Sequence, residues 1–344
     1  MISETALVPV SLPLANPWRT AQGVIRERLG WLFLIGTDDG HEGYGEALPL
    51  TEAGTEDHNA CHQALERLAE AIRNADPSDM LERLVEIAPD CPAARCAAET
   101  ALVQILAESD DKPVPLWLNK SAAQTVRVNA MAGALEMGIE ETLDSLAQDG
   151  FSVIKLKVGL NDPATEARDL TALCALIPRT ISLRLDANGA WSAEEAAVFI
   201  ASTSGLPIES LEDPLKDLDV KQLHHLQDHA PFPIALDESF WRLGAGIVFS
   251  NPPTRRIVLK PMAAGGPLST FQLGRKAQKA GLETIVTTTI DGRFGTLAAL
   301  HAAAALDQEK KWAHGLSTGS WLKENTTQIP TDSAEIEAFQ APIS

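Results

Sequence analysis

Residues 152–159 read SVIKLKVG, an apolar run interrupted by Lys155 and Lys157. A short run rich in Val, Ile and Leu and closed by glycine reads as a buried strand. Residues i and i+2 of a strand face the same way, so the two lysines stand side by side. Two cations on one face of a buried strand need anions nearby.

Seven more runs of this texture follow residue 125: VRVNAMA (126–132), SLRLDANG (182–189), IESLEDP (208–214), PIALDES (233–239), RIVLKP (256–261), ETIVTT (283–288) and KWAHGL (311–316). Helical segments such as DPATEARDLTALCALI (162–177), SAEEAAVFIASTS (192–204) and GPLSTFQLGRKAQKAG (266–281) lie between them. Alternating strands and helices predict a parallel sheet, and seven to eight strands predict a modified (β/α) barrel of the TIM type. No G-x-G-x-x-G follows an early strand, which speaks against an open dinucleotide-binding sheet.

Upstream the texture differs. ETALVPVSL (4–12) and GWLFLIGTDDGHEGYGEA (30–47) read as strands, the latter a hairpin turning at DDGHEG. Residues 58–75, 82–88 and 93–109 read as helices, with Pro92 at the start of the last. The expected organisation is an α/β chain with an N-terminal α+β capping domain over 1–122, a barrel over 123–317, and a tail, 318–344, that packs on the first domain.

The strand ends carry the chemistry. Lys155 and Lys157 end the second barrel strand, Asp186 the third, Glu212 the fourth, Asp237 the fifth and Lys260 the sixth, the last four spaced by 26, 25 and 23 residues. Each step is one strand–helix unit, so these side chains occupy equivalent places at the strand C-termini, where barrel active sites form. Three carboxylates so placed repel one another unless a cation neutralises them. Oxygen donors without His or Cys suit a hard ion, Mg²⁺ or alternatively Mn²⁺. A lysine beside such an ion and a second lysine loses basicity and can serve as general base. Polarisation of a bound carboxylate then permits removal of its α-proton, giving an ene-diolate. For Lys155, which lies deeper along its strand, a salt bridge to a carboxylate is the alternative role.

With these residues in view, the chain resembles the enolase superfamily. KLKVG (155–159), LRLDANGAW (183–191), LEDP (211–214), ALDES (235–239) and VLKP (258–261) are similar to its successive site segments, and GHEGYGEALPL (40–50) to its capping domain. The resemblance places the chain in the muconate-cycloisomerase-like group, nearest the o-succinylbenzoate synthase family. It implies that Asp186, Glu212 and Asp237 bind Mg²⁺, that Lys157 takes the proton, that Lys260 faces the ene-diolate, and that Lys155 supports the site electrostatically. The implied reaction is syn elimination of water from a cyclohexadiene carboxylate in menaquinone biosynthesis.

Expected substrate contacts are Asn129, Thr288 and Thr289 on pocket-lining strands, and Arg184, two residues before Asp186, with a core ion pair as its alternative. The backbone of Gly265 and Gly266 is expected either to meet an anion or to form a simple turn. Arg19 and Arg26, in the loop over 17–28, are read either as greeting an anionic substrate or as surface charge. Rival readings are an N-acylamino acid racemase or dipeptide epimerase, a muconate cycloisomerase, a Schiff-base lysine enzyme and a non-catalytic barrel. Dipeptide epimerases carry D-x-D near the eighth strand, where this chain reads KWAHGLSTGSWL.

The formal net charge of −19 disfavours nucleic acid and anionic membranes as partners; the small-molecule carboxylate substrate is what the strand-end site and the resemblance imply. Oligomeric state is not legible. Four cysteines without a C-x-x-C pair, and an N-terminus without a signal-peptide pattern, predict reduced thiols in the cytoplasm.

Overall fold

The computed structural model describes residues 1–20, 23–323 and 333–339, without the side chains of Arg19 and Thr20. Twelve strands run in chain order as β1 (Ile2–Thr20), β2 (Gly23–Thr37), β3 (Glu42–Ala47), β4 (Thr125–Arg127), β5 (Ala130–Ala134), β6 (Val153–Lys157), β7 (Ser182–Asp186), β8 (Ile208–Glu212), β9 (Ile234–Leu236), β10 (Arg256–Leu259), β11 (Glu283–Val286) and β12 (Glu335–Glu337). The chain divides into two compact units. One comprises Met1–Arg127, Leu259–Arg275 and Val286–Ser344, the other Val128–Val258 and Lys276–Ile285.

In the first unit, β1, β2 and β3 form an antiparallel sheet. The turn between β2 and β3 closes where Thr37 accepts from the His41 N–H through its hydroxyl and donates its own N–H to His41 O. Helices His58–Ile72, Pro77–Ile87 and Pro92–Ser109 follow. Asp57 and Asp76 cap the first two by accepting backbone N–H bonds, and proline opens the last two. The core joins Phe33, Ile35, Leu65, Leu68, Leu102 and Met262.

Helix Pro92–Ser109 is buried almost all round, which its alanines permit. It lies directly on β3. A Cβ at Gly43 would stand 2.1 Å from Ala101 O, and one at Gly45 1.8 Å from Ala97 O, so only glycine allows this approach.

The C-terminal part of this unit also packs on β1. Leu14 bridges Leu322, Lys323 N donates to Pro13 O at 2.9 Å, and Trp18 meets Trp321 edge-on at 6.2 Å. β12 pairs with β4 in a separate two-stranded sheet.

The second unit is built on a seven-stranded sheet ordered β11-β10-β9-β8-β7-β6-β5, in which β5 through β10 pair in parallel. Neighbours in the sheet are neighbours in the chain, as successive strand–helix crossovers require. Helices Ile139–Gln148, Pro163–Cys174, Ala193–Thr203 and Val220–His229 provide four of the connections. Along β6 and β7, Ile154, Leu156, Leu183 and Leu185 are fully buried and alternate with Lys155, Lys157, Arg184 and Asp186. One strand face is thereby apolar and the other carries charge.

Two strand expectations need correction. VRVNAMA is not one strand: it breaks at Val128–Asn129 into β4 and β5, which join different sheets. The eighth barrel strand is reduced to isolated bridges at His314 and Gly315, the latter parallel to Thr287. There the imidazole Nδ1 of His314 accepts the Val286 N–H at 3.0 Å, a donor that a regular ladder would give to backbone oxygen. All four cysteines are free. Among the described residues no helix is long and apolar enough to cross a membrane.

Candidate active site

Strand register sets the site. Lys157 pairs with Asp186 across β6 and β7, and Asp186 pairs with Glu212 across β7 and β8. These three side chains thus stand at one level of three adjacent strands. Glu212 in turn pairs with Ala235, two residues before Asp237.

Lys155 sits one side-chain step deeper, and its Nζ lies 2.8 Å from Asp186 Oδ2 while also donating to Glu212 Oε2. Burial opposes its charge, but Asp186, Glu212 and Asp237 outweigh burial and raise its pKa well above the ordinary value. Lys155 is therefore a fixed cation, the salt-bridge role foreseen as its alternative. No ion pair engages the Lys157 ammonium among the described residues.

The loop after Lys157 is tied down by Glu166, a residue that sequence reasoning missed. Its buried carboxylate accepts from the N–H groups of Gly159 at 2.7 Å, Leu160 at 2.8 Å and Asn161 at 3.2 Å. Gly159 has φ +81°, and a Cβ there would lie 2.5 Å from the Ala190 Cβ. An acid in the first turn of the next helix was the available signal.

Asp213, also missed although it lies within LEDP, organises the end of β9. It accepts from the N–H groups of Asp237 and Ser239, each at 3.0 Å, and from the Ser239 hydroxyl. Burial, then the nearby Glu238 charge, push its pKa up to about 7 against these donors. Asp237 itself is buried at 4% exposure, immediately before the short helix Glu238–Leu243.

Arg184 is buried and engaged within the unit. Its Nε donates to Glu209 Oε2 at 3.1 Å, its Nη1 donates to Asn129 Oδ1 at 3.0 Å, and Glu212 Oε1 lies 3.7 Å from Nε. The core ion pair weighed for it is present. Asn129 is held by the same bond and by donation to Ala130 O at 3.1 Å.

Lys260, Gly265, Gly266, Thr288 and Thr289 belong to the first unit. Lys260 follows β10 directly and is buried at 6% exposure. Thr288 shares a 2.6 Å hydrogen bond with Thr318, and the Thr289 N–H and hydroxyl both donate to Asp291. The N–H groups of Gly265 and Gly266 both donate to Pro261 O at 2.9 Å, the simple turn weighed for them. Glu99 occupies the adjoining helix start, accepting from Ser269 N at 2.9 Å. Arg26 is exposed, and the Arg19 side chain lies outside the described residues.

Among the described residues, no three His, Cys, Asp or Glu side chains are already gathered as a metal cage. The donor set nevertheless fits a divalent ion. Asp186 and Glu212 each aim an oxygen at one cation, the Lys155 ammonium. Their oxygen donors, with no His or Cys among them, suit a hard ion.

Comparison with known proteins agrees with this arrangement of strands. The Enolase C-terminal domain-like family model matches residues 138–339, and the chain belongs to that family. It is an enzyme of the enolase superfamily, with the modified (β/α)-barrel fold and N-terminal capping domain of that group. The L-Ala-D/L-Glu epimerase of Bacillus subtilis (strain 168) is 28% identical, over 86% of this chain and 83% of its own. An o-succinylbenzoate synthase of Desulfotalea psychrophila is 25% identical, over 90% of this chain and 92% of its own. The dipeptide epimerase of Enterococcus faecalis V583, crystallised with Mg and the dipeptide L-Leu-L-Tyr, superposes with a TM-score of 0.84 at 22% identity, covering 98% and 96%.

Proposed function

We propose that this enzyme converts 2-succinyl-6-hydroxy-2,4-cyclohexadiene-1-carboxylate to o-succinylbenzoate by syn elimination of water. The observation that carries the reading is the register line Lys157–Asp186–Glu212, an ammonium and two carboxylates at one strand level. Asp186, Glu212 and Asp237 would hold Mg²⁺, as the crystallised relative's Mg complex supports. When bound, the ion neutralises the substrate carboxylate and acidifies the adjoining C–H.

Lys157 takes the proton from C1 as general base. The electron pair of that C–H bond becomes the ring double bond as the C6 hydroxyl departs. The Lys157 ammonium returns the proton to the departing oxygen on the same face, water leaves, and the ring is aromatic. Lys155 stays charged throughout, held by its carboxylates. Lys260 is the second lysine by resemblance.

Elimination is favoured over dipeptide epimerisation because residues 311–322 offer no paired acid for an α-ammonium. Racemisation of an N-acylamino acid is the second reading, supported by the N-succinyl-L-Arg/Lys racemase of Bacillus cereus at 22% identity. It would use Lys157 and Lys260 as alternate acid and base. Incubation with Mg²⁺ and the cyclohexadiene, followed by its absorbance, tests the proposal. Loss of absorbance with formation of the aromatic acid is expected. No turnover, with racemisation of an N-succinylamino acid instead, overturns it.

A further inference from the structure

Behind Glu212 runs a chain of charges that the proposed reaction does not use. Glu283 Oε2 accepts from Arg256 Nε at 3.0 Å and from Nη2 at 2.9 Å. Arg256 Nη1 donates to Glu209 Oε1, whose partner oxygen accepts from Arg184 Nε at 3.1 Å. Arg184 Nε lies 3.7 Å from Glu212 Oε1, and Glu212 Oε2 accepts from Lys155, which pairs with Asp186. The sign alternates at every step from Glu283 to Asp186. The two guanidiniums are almost wholly buried, at 2% and 1% side-chain exposure.

Two features show that this is more than scattered core pairing. Glu209 lies where the β7–β8 register slips by one, between the pairs Leu183–Ile208 and Arg184–Ser210. The slip lets Arg184 reach both Glu209 and Glu212, which strict alternation would place on opposite faces. The chain is also unbroken: the carboxylates Glu283, Glu209, Glu212 and Asp186 are joined in order by Arg256, Arg184 and Lys155. A planar guanidinium held by two further acceptors, Glu209 and Asn129, has little freedom to rotate away from Glu212.

We propose that the Glu283–Arg256–Glu209–Arg184 chain is a positioning device that fixes the Glu212 carboxylate and thereby sets the enzyme's affinity for Mg²⁺, Arg184 acting through Glu212 and not on the substrate. Such outer partners orient ligating carboxylates, and their loss characteristically costs 10- to 100-fold in metal affinity. The inference rests on the metal reading of Asp186, Glu212 and Asp237, and is independent of which carboxylate is turned over.

Calorimetric titration with MgCl₂ tests it on the full chain. Arg184→Met is expected to weaken Mg²⁺ binding about 10- to 100-fold while KM for the cyclohexadiene at saturating Mg²⁺ stays within about threefold. Arg184→Lys is expected to recover part of the Mg²⁺ affinity. A KM raised tenfold or more with Mg²⁺ affinity unchanged would make Arg184 a substrate contact and overturn the proposal. If Arg184→Met does not fold, Glu283→Gln serves at the outer end, where the side chain is 28% exposed. There a severalfold loss of Mg²⁺ affinity supports the chain, and an unchanged affinity overturns it. Wild-type protein that binds no Mg²⁺ would remove the metal reading itself, a distinguishable failure.

Discussion

Lys155 Nζ and Asp186 Oδ2 stand 2.8 Å apart on adjacent strands, and the same ammonium donates to Glu212. One cation thereby ties the ends of β7 and β8. Removal of a single partner from a buried pair leaves uncompensated charge and costs about 3–5 kcal/mol. Lys155→Met is expected to lose about 3 kcal/mol in EDTA, read from urea denaturation. Its stabilisation by Mg²⁺ should exceed that of wild type, because the ion then takes over the neutralisation. Unchanged stability in EDTA would refute the pairing.

Gly159→Ala is expected to cost about 2 kcal/mol, since φ is positive there and the new methyl meets Ala190. Turnover should fall with it, because the Glu166-held loop begins one residue beyond Lys157–Val158. A thermal melt and an activity assay of the variant check both. A wild-type melting temperature would show that the loop tolerates the methyl.

Glu46 makes stability depend on pH. Burial first, then the Asp291 charge, raise its pKa from 4.5 to about 8, against the N–H donors of Gly295 and Gly292 and the charge of Arg28. A carboxyl with a raised folded-state pKa binds more protons folded than unfolded. Its contribution is fully present below about pH 4.5 and is lost as pH rises through about 8. Glu46→Gln should therefore flatten the fall in stability between about pH 4.5 and about pH 8. Parallel pH curves for variant and wild type would contradict the assignment.

Lys260→Ala is expected to abolish turnover of the cyclohexadiene while leaving the circular dichroism and the Mg²⁺ affinity unchanged. Substantial residual turnover would leave a single-lysine mechanism in which Lys260 has no part.

The barrel strands were legible because parallel strands flanked by helices are apolar runs, as in SVIKLKVG. The spacings of 26 and 25 residues put Asp186, Glu212 and Asp237 at or just past successive strand ends for the same reason. What escaped was what side chains do to backbone. The His314 imidazole accepts a ladder N–H in place of a backbone oxygen, which no periodicity encodes. The register slip at Glu209 breaks the period of two, so IESLE gave no sign that Glu209 joins Arg184. Glu166 and Asp213 act on backbone N–H groups, contacts that depend on loop shape and not on residue pattern.

The central claim is that Lys157 is the base of a Mg²⁺-dependent elimination. The most direct measurement follows the cyclohexadiene absorbance for wild type and Lys157→Ala side by side, each with Mg²⁺ and with EDTA. The account predicts turnover only for wild type with Mg²⁺, and a loss of at least about 100-fold in the variant, the lower range for a general base. Turnover by Lys157→Ala within a few-fold of wild type, or wild-type turnover that survives EDTA, would contradict it.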